Sequence, residues 1–568
     1  MPPLSFWWSR SSSIKDIFME KRLLLAIVLS FLILFLYQAF FAPKKPPTPV
    51  PQNTPGEINQ ELTQVPAKTL SDRKIPTEAV EAKEREDFEP TIEQREAKVT
   101  IDTSKYYAVW SSKGAVLTSW RLREHKDYNG EDLEIVSSYS QKIGKYPFLL
   151  RTDDPEFDKT INNALFESSR NSLQLDNGKE GEVRFLFADN KGNKAEKIFK
   201  FRGGVYDFDI TINLWKNGQK IEPNLIWGPT IGNPSPEAQK TRYGGATGIT
   251  VYTAAKAYHQ NETKYDPEKS MYNFVSWASY DDQYFAALFL TSPQKTSTVF
   301  LQEIINQVPY YFMAVNYANK VYIGPKSFDT LSKLSPNTKK LVKFGFFGFI
   351  AEILYVAIRA IHNVIPNWGF SIIILTILVK ILFFPLTYSS TKSMSKMQEL
   401  QPKIKALKSK YKKAKKDIDQ RRKMNEETMK LYKAHGVNPA GGCLPMLVQL
   451  PIFWGFFRLL IVAIEFRHAP FILWLTDLSA KDPYYITPIL MGLSQFISQK
   501  MTPTAGDATQ KKMMLFMPVI MTIFFMNFQC GLVLYWLTNN VLQIGQQYIM
   551  NRFMHKQKRE THGKRRKK

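Results

Sequence analysis

The feature that most restricts how this chain can fold is an apolar run with one lysine near its middle. Residues 370–386 read FSIIILTILVKILFFPL, in which only Lys380 carries a full charge. A membrane-spanning helix needs about 20 apolar residues, so the run is long enough to cross most of a bilayer. A lysine at mid-membrane costs roughly 2.5–3.5 kcal/mol, which is tolerable where the ammonium faces water or a partner. The alternative is a lysine that snorkels to the interface. Lys380 lies about 9 Å of helical rise inside the Pro385 end, which favours a functional site.

Five other apolar segments are candidate membrane spans. They cover residues 23–42, 443–466, 484–501, 513–528 and 531–550, and the span that carries Lys380 is placed at 368–388. Lys21 and Arg22 precede the first segment, so the positive-inside rule places residues 1–22 in the cytoplasm. A signal peptide is the alternative for this segment, but its apolar run is longer than a usual signal core and favours an uncleaved anchor. An even number of spans then returns the basic tail, 551–568, to the cytoplasm.

A long polar region lies between the first two spans. Residues 43–98 are rich in proline and charge and predict an extended, largely disordered linker. Residues 99–334 consist of short alternating runs separated by turn signals such as Asn129-Gly130, which predicts an all-β domain, a sandwich of two sheets. Because the domain follows a span that starts in the cytoplasm, we expect it outside the cytoplasmic membrane. Its aromatic residues either bind sugars or peptides at the surface or pack the core.

Two further segments flank the lysine-bearing span. Residues 339–365 place Glu352, Arg359 and His362 on one helical stripe, which predicts an amphipathic helix lying in the membrane interface. If this segment crossed instead, the basic block at 389–440 would face outward, against the positive-inside rule. The block has apolar residues at helical spacing and a turn with Asp417 as N-cap, which predicts a cytoplasmic two-helix hairpin. The alternative is a solvated charge run.

Charge and cysteine content restrict the chemistry and the partners. The net charge of +25 is concentrated in residues 392–433 and after Asn551. Such basic blocks suit anionic lipid headgroups, nucleic acid or the cytoplasmic side of a membrane. The two cysteines lie outside the β domain, which therefore has no internal disulfide. The sequence contains no zinc spacing, Walker loop, GxSxG or HExxH motif. We expect no catalytic residue, no metal, no cofactor and no specific nucleic acid.

Polar side chains recur in the candidate spans after residue 368. They are Thr376 and Lys380, then Gln449, then Gln495 with its serine neighbours, and finally a stripe at Trp536, Asn540, Gln543 and Gln547. Polar groups in lipid must face one another or water, so these helices could enclose a hydrated pocket around Lys380. No carboxylate lies at similar depth, so the cation would attract acidic or polar segments that enter. The alternative for each amide is ordinary hydrogen bonding between helices, worth about 0.6 kcal/mol a pair.

The order of elements and six stretches resemble the YidC branch of the YidC/Oxa/Alb family of membrane-protein insertases. The stretches are WGFSIIILTILVKILFFPLT, LQPKIKALK, LYKAHGVNPAGGCLPMLVQLPIFW, LWLTDLSAKDPYYITPILMG, QKKMMLFMPVIMTIFFM and GLVLYWLTNN. They lie between residues 368 and 552. The anchor and the large outer β domain are similar to the Gram-negative form of this family, by architecture more than by motif.

The resemblance implies a five-helix core with a hydrophilic groove that is open to the cytoplasm and to lipid but closed outside. The family's groove cation falls on Lys380, where many members have arginine, and lysine lacks the bidentate fork of arginine. Thr376 matches the groove threonine, and Tyr535 and Trp536 match an aromatic pair that touches substrate. The expected groove residues are Thr376, Lys380, Gln449, Gln495, Tyr535, Trp536, Asn540 and Gln543.

The expected fold is therefore a membrane protein with an α-helical core of five transmembrane helices, an N-terminal anchor, a periplasmic β-sandwich and a cytoplasmic hairpin. The expected function is that of a non-enzymatic insertase and chaperone in the bacterial inner membrane. It would receive nascent membrane proteins from the ribosome, alone or with the Sec translocon. One rival is a small-anion transporter or channel that uses Lys380 as its site, although no inverted repeat is visible. A second is a sugar-processing β domain, which needs paired carboxylates in a cleft.

Overall fold

The computed structural model describes residues 95–127, 129–232, 247–335, 337–411, 417–437, 444–502 and 508–566. The expected cytoplasmic start, the anchor 23–42 and all but the last residues of the linker 43–98 lie outside these ranges, as does Cys443.

Residues 98–325 form a β domain. Its strands are β1 (Lys98–Thr103), β2 (Tyr106–Ser111), β3 (Val116–Lys126), β4 (Asp132–Glu134), β5 (Leu150–Arg151), β6 (Glu167–Ser168), β7 (Ser172–Leu175), β8 (Glu180–Ala188), β9 (Lys194–Arg202), β10 (Asp207–Lys216), β11 (Gln219–Ile221), β12 (Asn224–Trp227), β13 (Gly248–Thr253), β14 (Lys256–Asn261), β15 (Met271–Asn273), β16 (Val275–Asp281), β17 (Phe285–Thr291), β18 (Ser297–Ile305), β19 (Val308–Val315) and β20 (Ala318–Pro325). Three short helices, which the alternating pattern does not predict, accompany them: α1 (Ser138–Ile143), α2 (Pro155–Asn163) and α3 (Phe328–Leu334).

The strands make two layers, as a sandwich requires. One layer is a ten-stranded sheet in the order β14-β13-β16-β17-β20-β10-β9-β8-β6, with β11 beside β10. Two five-stranded sheets, β4-β3-β2-β1-β7 and β15-β18-β19-β12-β5, form the other layer. Aromatic rings join the layers: Trp110 lies 4.2 Å from Phe199, and Trp227 lies 6.1 Å from Phe289, between ring centroids. The predicted sandwich is confirmed, with its second layer divided into two sheets.

Alternation along β9 explains why a lysine lies in the core of this domain. Ala195, Lys197 and Phe199 are all completely buried, because alternate residues of a strand face the same side. The Lys197 ammonium donates to the carbonyl oxygens of Gly114 and Phe148, at 2.7 Å each, and to that of Ala115 at 3.2 Å. Three acceptors satisfy its three donors. The lysine therefore ties β9 to the loops that lead into the opposite layer.

Burial lowers the pKa of Lys197 to about 7. Between this value and the unfolded value near 10.4 the unfolded chain binds more protons, so the domain gains stability as pH rises through that window. We expect the free energy of unfolding of residues 95–335 to increase from pH 7 to pH 10, and Lys197→Met to lose this increase. Urea unfolding at several pH values tests this; an equal pH slope in both proteins would refute the assignment.

The remaining described chain is helical. The helices are α4 (Gly348–Val364), α5 (Trp368–Leu382), α6 (Phe384–Glu399), α7 (Gln401–Lys410), α8 (Ile418–Ala434), α9 (Leu444–Val462), α10 (Ile486–Met501), α11 (Ala508–Phe525) and α12 (Cys530–Arg566). Helix α12 packs on α10 and α5, α4 packs on α9 and α5, and α7 packs on α8.

Several helix boundaries differ from the sequence-based expectation. The amphipathic helix begins at Gly348, not 339, because residues 342–347 form a loop in which Gly345 has φ +76°. The lysine-bearing helix ends at Leu382, and α6 continues it after a bend of 60°; Pro385 lacks the amide hydrogen that a continuous helix needs. The last helix extends through Arg566 instead of ending at 550.

Among the described helices, no single one is both long and apolar enough to cross a membrane, whereas the bent pair α5 and α6 meets the requirement together.

A buried charge network connects the β domain to the helices. The Lys326 ammonium lies 2.9 Å from Asp281, and both side chains are at least 95% buried. Thr250 donates to Asp281 at 2.6 Å and accepts from Lys343 at 2.9 Å. The backbone carbonyl of Lys343 in turn accepts from Arg458 of α9 at 2.5 Å. The sequence left the role of Arg458 open; its side chain holds the loop before α4.

Candidate functional site

Helix α5 presents its lysine in its last turn. Asn367 caps the start of α5 by accepting from the amide of Phe370 at 3.1 Å, and the helix ends just before Pro385. A cation near a helix C-terminus interacts favourably with the helix dipole. The Lys380 ammonium donates to Oε1 of Gln543 on α12 at 2.9 Å. Among the described residues, no carboxylate pairs with Lys380, so a neutral amide is its partner.

A cavity of about 30 Å³ lies beside Lys380, which is room for about two water molecules. Four segments line it: α5, the start of α6, α9 and α12. The lining residues are Thr376, Val379, Lys380, Phe383, Leu386, Thr387, Val448, Gln449, Ile452, Tyr535 and Asn539. The walls are mainly apolar, and the polar groups are one ammonium, hydroxyls and amides. Such a cavity is suited to hold water beside the Lys380 ammonium.

The structure brings five of the eight expected groove residues to this cavity. Thr376, Lys380, Gln449 and Tyr535 line it, and Gln543 reaches it through its bond to Lys380. Thr376 is almost completely buried. Its hydroxyl donates a hydrogen bond to the carbonyl of Ile372 at 2.6 Å, so the hydroxyl hydrogen is already bonded within α5. Tyr535 is 2% exposed and stacks on Phe456 with 4.3 Å between ring centroids.

The other three expected residues lie where α10 packs on α12. The indole N–H of Trp536 donates to Gln495 at 2.9 Å. Asn540 donates to the carbonyl of Met491 and to the hydroxyl of Ser494, each at 3.3 Å. These contacts are the ordinary hydrogen bonding between helices that the sequence left as the alternative. The stripe on α12 is therefore divided between two neighbours, α10 and α5.

Two polar residues of the cavity were not among the expected ones. Asn539 lies four residues after Tyr535 and four before Gln543, so it shares their helix face. This spacing predicts that Asn539 lies beside Tyr535 and Gln543, but the polar stripe that begins at Trp536 is the more prominent pattern in the sequence. Thr387 lies seven residues after Lys380, which is a helical spacing, but the bend between α5 and α6 separates the two residues. Within the described ranges, no group of three metal-ligating side chains is placed to hold an ion.

Comparison with known proteins agrees with this architecture. A family model described as the YidC periplasmic domain matches residues 98–357, and one described as the 60Kd inner membrane protein matches residues 360–558. The membrane protein insertase YidC of Syntrophus aciditrophicus is 37% identical over 94% of this chain and 100% of its own length. That of Citrifermentans bemidjiense is 35% identical over 94% of this chain and 99% of its own length. The chain belongs to the YidC family of membrane protein insertases.

One solved structure covers both parts of the chain. It is a crystal structure of an active YidC insertase with its first transmembrane domain resolved. It covers 80% of this chain and 93% of its own, at 18% identity and a TM-score of 0.35. The family membership rests on the relatives and the family models. Membership of a family of insertases does not favour the alternative function, a small-anion transporter or channel.

Proposed function

We propose that this chain inserts nascent membrane proteins into the bacterial inner membrane and assists their folding. The observation that carries the proposal is the open cavity in which Lys380 contacts only the neutral Gln543 among the described polar groups. An ammonium without a carboxylate partner retains its attraction for an acidic segment of a second chain. The relatives named above are insertases, and the cavity provides a place where such a segment can be held.

The proposed topology follows the charge distribution. The anchor 23–42, α5 with the start of α6, helices α9 to α11 and the part of α12 up to residue 550 cross the membrane, while α4 lies in the outer interface. The β domain is periplasmic, and the chain termini, the basic hairpin 389–440 and the tail 551–568 are cytoplasmic. These basic segments contact anionic lipids and receive the chain from the ribosome, alone or beside the Sec translocon.

The proposed mechanism involves no covalent chemistry. Water and polar groups in the cavity hydrate the short polar segment that must cross, which shortens the apolar barrier. The apolar helix of the substrate then moves into lipid along the apolar faces of α9 and α11. Burial of its apolar surface drives this step, at about 25 cal/mol per Å². A membrane potential that is negative inside favours outward movement of a negative segment by about 2.3 kcal/mol per charge for each 100 mV.

Each groove residue has a distinct proposed role. Lys380 attracts the acidic segment, and Gln543 positions the Lys380 ammonium. Thr376, Gln449 and Tyr535 form the polar wall that the segment meets. The remaining three act indirectly, because they hold α10 and α12 together: Gln495, Trp536 and Asn540.

Reconstitution tests the function directly. The purified full chain in vesicles is expected to insert a newly synthesised single-span protein whose short outer tail is acidic, and protease protection of that tail measures insertion. Vesicles without the protein provide the background. Insertion no higher than this background, with correctly oriented and folded protein, would refute the proposal.

The β domain is expected to be dispensable for insertion itself. The deletion should keep α3, because Phe328 packs on Tyr355 of α4 with 5.3 Å between ring centroids, and Asp329 pairs with Arg359. We expect a chain that lacks residues 99–325 to retain at least half of its insertion activity in the same vesicles. Loss of all insertion, with the helices still folded, would assign an essential role to the β domain.

A further inference from the structure

An exposed apolar edge of the β domain has no function in the mechanism above. It consists of Tyr258, Met271 and Phe274, whose side chains are 40%, 61% and 70% exposed. Tyr258 lies on β14, an edge strand of the ten-stranded sheet, and Met271 lies on β15, an edge strand of a five-stranded sheet. The rings of Tyr258 and Tyr272 are 6.1 Å apart, so the two edges meet here.

Hydrogen bonds place this apolar edge close to the chain segment that enters α4. The Thr253 hydroxyl donates to the carbonyls of Asn273 and Phe274, at 2.8 and 3.1 Å. Two residues further on, the carbonyl of Ala255 accepts from Lys340 at 3.3 Å. The neighbouring Lys339 pairs with Glu352 of α4 at 3.0 Å. Consecutive lysines therefore contact the turn beside the apolar edge and the first part of α4.

Helix α4 has an exposed apolar face of its own. Phe349, Ile353 and Val356 are 78%, 52% and 59% exposed and follow the spacing of one helical face. An apolar helix face of this kind lies in the boundary between headgroups and acyl chains when the helix is interfacial. The apolar edge is thus connected, through Lys339 and Lys340, to the element that is proposed to lie in the membrane surface.

Two lysines near the apolar edge suit the same partner. The ammonium of Lys256 lies over the ring of Tyr258 at 5.8 Å, and that of Lys340 lies over the ring of Tyr252 at 4.8 Å. The Tyr252 ring is buried, whereas the Tyr258 ring is exposed. An exposed tyrosine beside a lysine is typical of segments at the membrane–water interface. Each such lysine adds about 1 kcal/mol of attraction to an anionic lipid surface.

We propose that the apolar edge of the β domain contacts the outer leaflet of the membrane, with Phe274 and Met271 at the level of the headgroups and Lys256 and Lys340 facing anionic lipids. This inference rests on the membrane placement of α4 in the proposed function. The β domain then has two supports on the membrane side, the chain that enters α4 and this edge. Together they set the tilt of the domain over the helices.

Spin-label accessibility tests the contact in the full chain. With Cys443 and Cys530 replaced by serine, single nitroxide labels are placed at Phe274→Cys, at Phe349→Cys on α4 and at Ile304→Cys. Ile304 is 73% exposed and lies toward the other end of β18 from Ser297, the residue that pairs with Asn273. At 3.3 Å per residue this is about 23 Å along the strand. The vesicles contain phosphatidylethanolamine and phosphatidylglycerol in a 3:1 ratio.

We expect the labels at 274 and 349 to collide at least threefold less often with a water-soluble nickel chelate than the label at 304, and more often with oxygen. Equal nickel accessibility at 274 and 304, with 349 protected, would overturn the lipid contact and leave the placement of α4 intact. Low collision with both reagents at 274 would show that protein covers the edge and would also overturn it. Full nickel accessibility at 349 would overturn the placement of α4 and this proposal together. A label at Met271→Cys repeats the test if the first variant fails to fold.

Discussion

Lys380→Glu is expected to reduce insertion of a substrate with an acidic outer tail at least tenfold. The change reverses the sign of the charge in the cavity, so attraction of the tail becomes repulsion. Two unit charges 4 Å apart interact with about 4 kcal/mol at an effective dielectric constant of 20. Loss of only a third of this value slows a step about tenfold. Complementation of a strain depleted of its own insertase and the vesicle assay both measure the effect.

Two matched variants separate the charge of Lys380 from its hydrogen bond. Lys380→Arg keeps the charge and is expected to support growth, since attraction does not need the bidentate fork. Lys380→Gln keeps a hydrogen-bond donor for Gln543 but has no charge. Its activity should fall between those of Lys380→Arg and Lys380→Glu. Full growth with Lys380→Glu would show that the cation is not required.

Lys326→Met is expected to destabilise the β domain by about 3–5 kcal/mol at neutral pH, because it leaves Asp281 buried without its counter-ion. Burial acts to raise the pKa of the Asp281 carboxyl, but the lysines facing it, above all Lys326, hold it below its ordinary value. The wild-type pair therefore contributes stability above the unfolded pKa near 3.9, and this contribution is lost as pH falls through the lower folded pKa. Urea unfolding of residues 95–335 measures the difference.

A double variant identifies the cause of that loss. Lys326→Met combined with Asp281→Leu removes both charges, and a buried pair replaced by apolar groups often costs little. We expect it to recover most of the stability that Lys326→Met loses. The deficit of the single variant should also shrink as pH falls, because protonation of Asp281 removes the unpaired buried charge. A double variant as unstable as the single one at every pH would show that packing, and not charge, is the cause.

The elements with a strong period were predictable from the sequence. Alternation in the β domain gave strands in the right regions, and the same rule places Lys197 in the core, as its position between Ala195 and Phe199 shows. Pro385 marked the bend after α5, since proline lacks an amide hydrogen. Lys380 was recognisable because a single charge in a long apolar run requires an explanation.

The division of polar residues between neighbouring helices was not predictable. Trp536, Asn540 and Gln543 share one face by spacing, yet the first two contact α10 and the third contacts α5. Which neighbour a residue meets depends on the rotation and crossing of packed helices, and periodicity carries no information about these. The role of Arg458 was not predictable either, because its hydrogen-bond partner is the backbone carbonyl of Lys343, more than a hundred positions earlier in the sequence.

The central claim, that a passing chain enters the cavity of Lys380, is tested most directly by site-specific photocrosslinking in the full chain. A photoreactive residue replaces Gln449, which lines the cavity, or Ile489, which is 53% exposed on α10. A ribosome-stalled nascent membrane protein is then offered to both variants. We predict a strong crosslink to the nascent chain from position 449 and little from position 489. No crosslink from 449, or equal crosslinks from both positions, would contradict the claim.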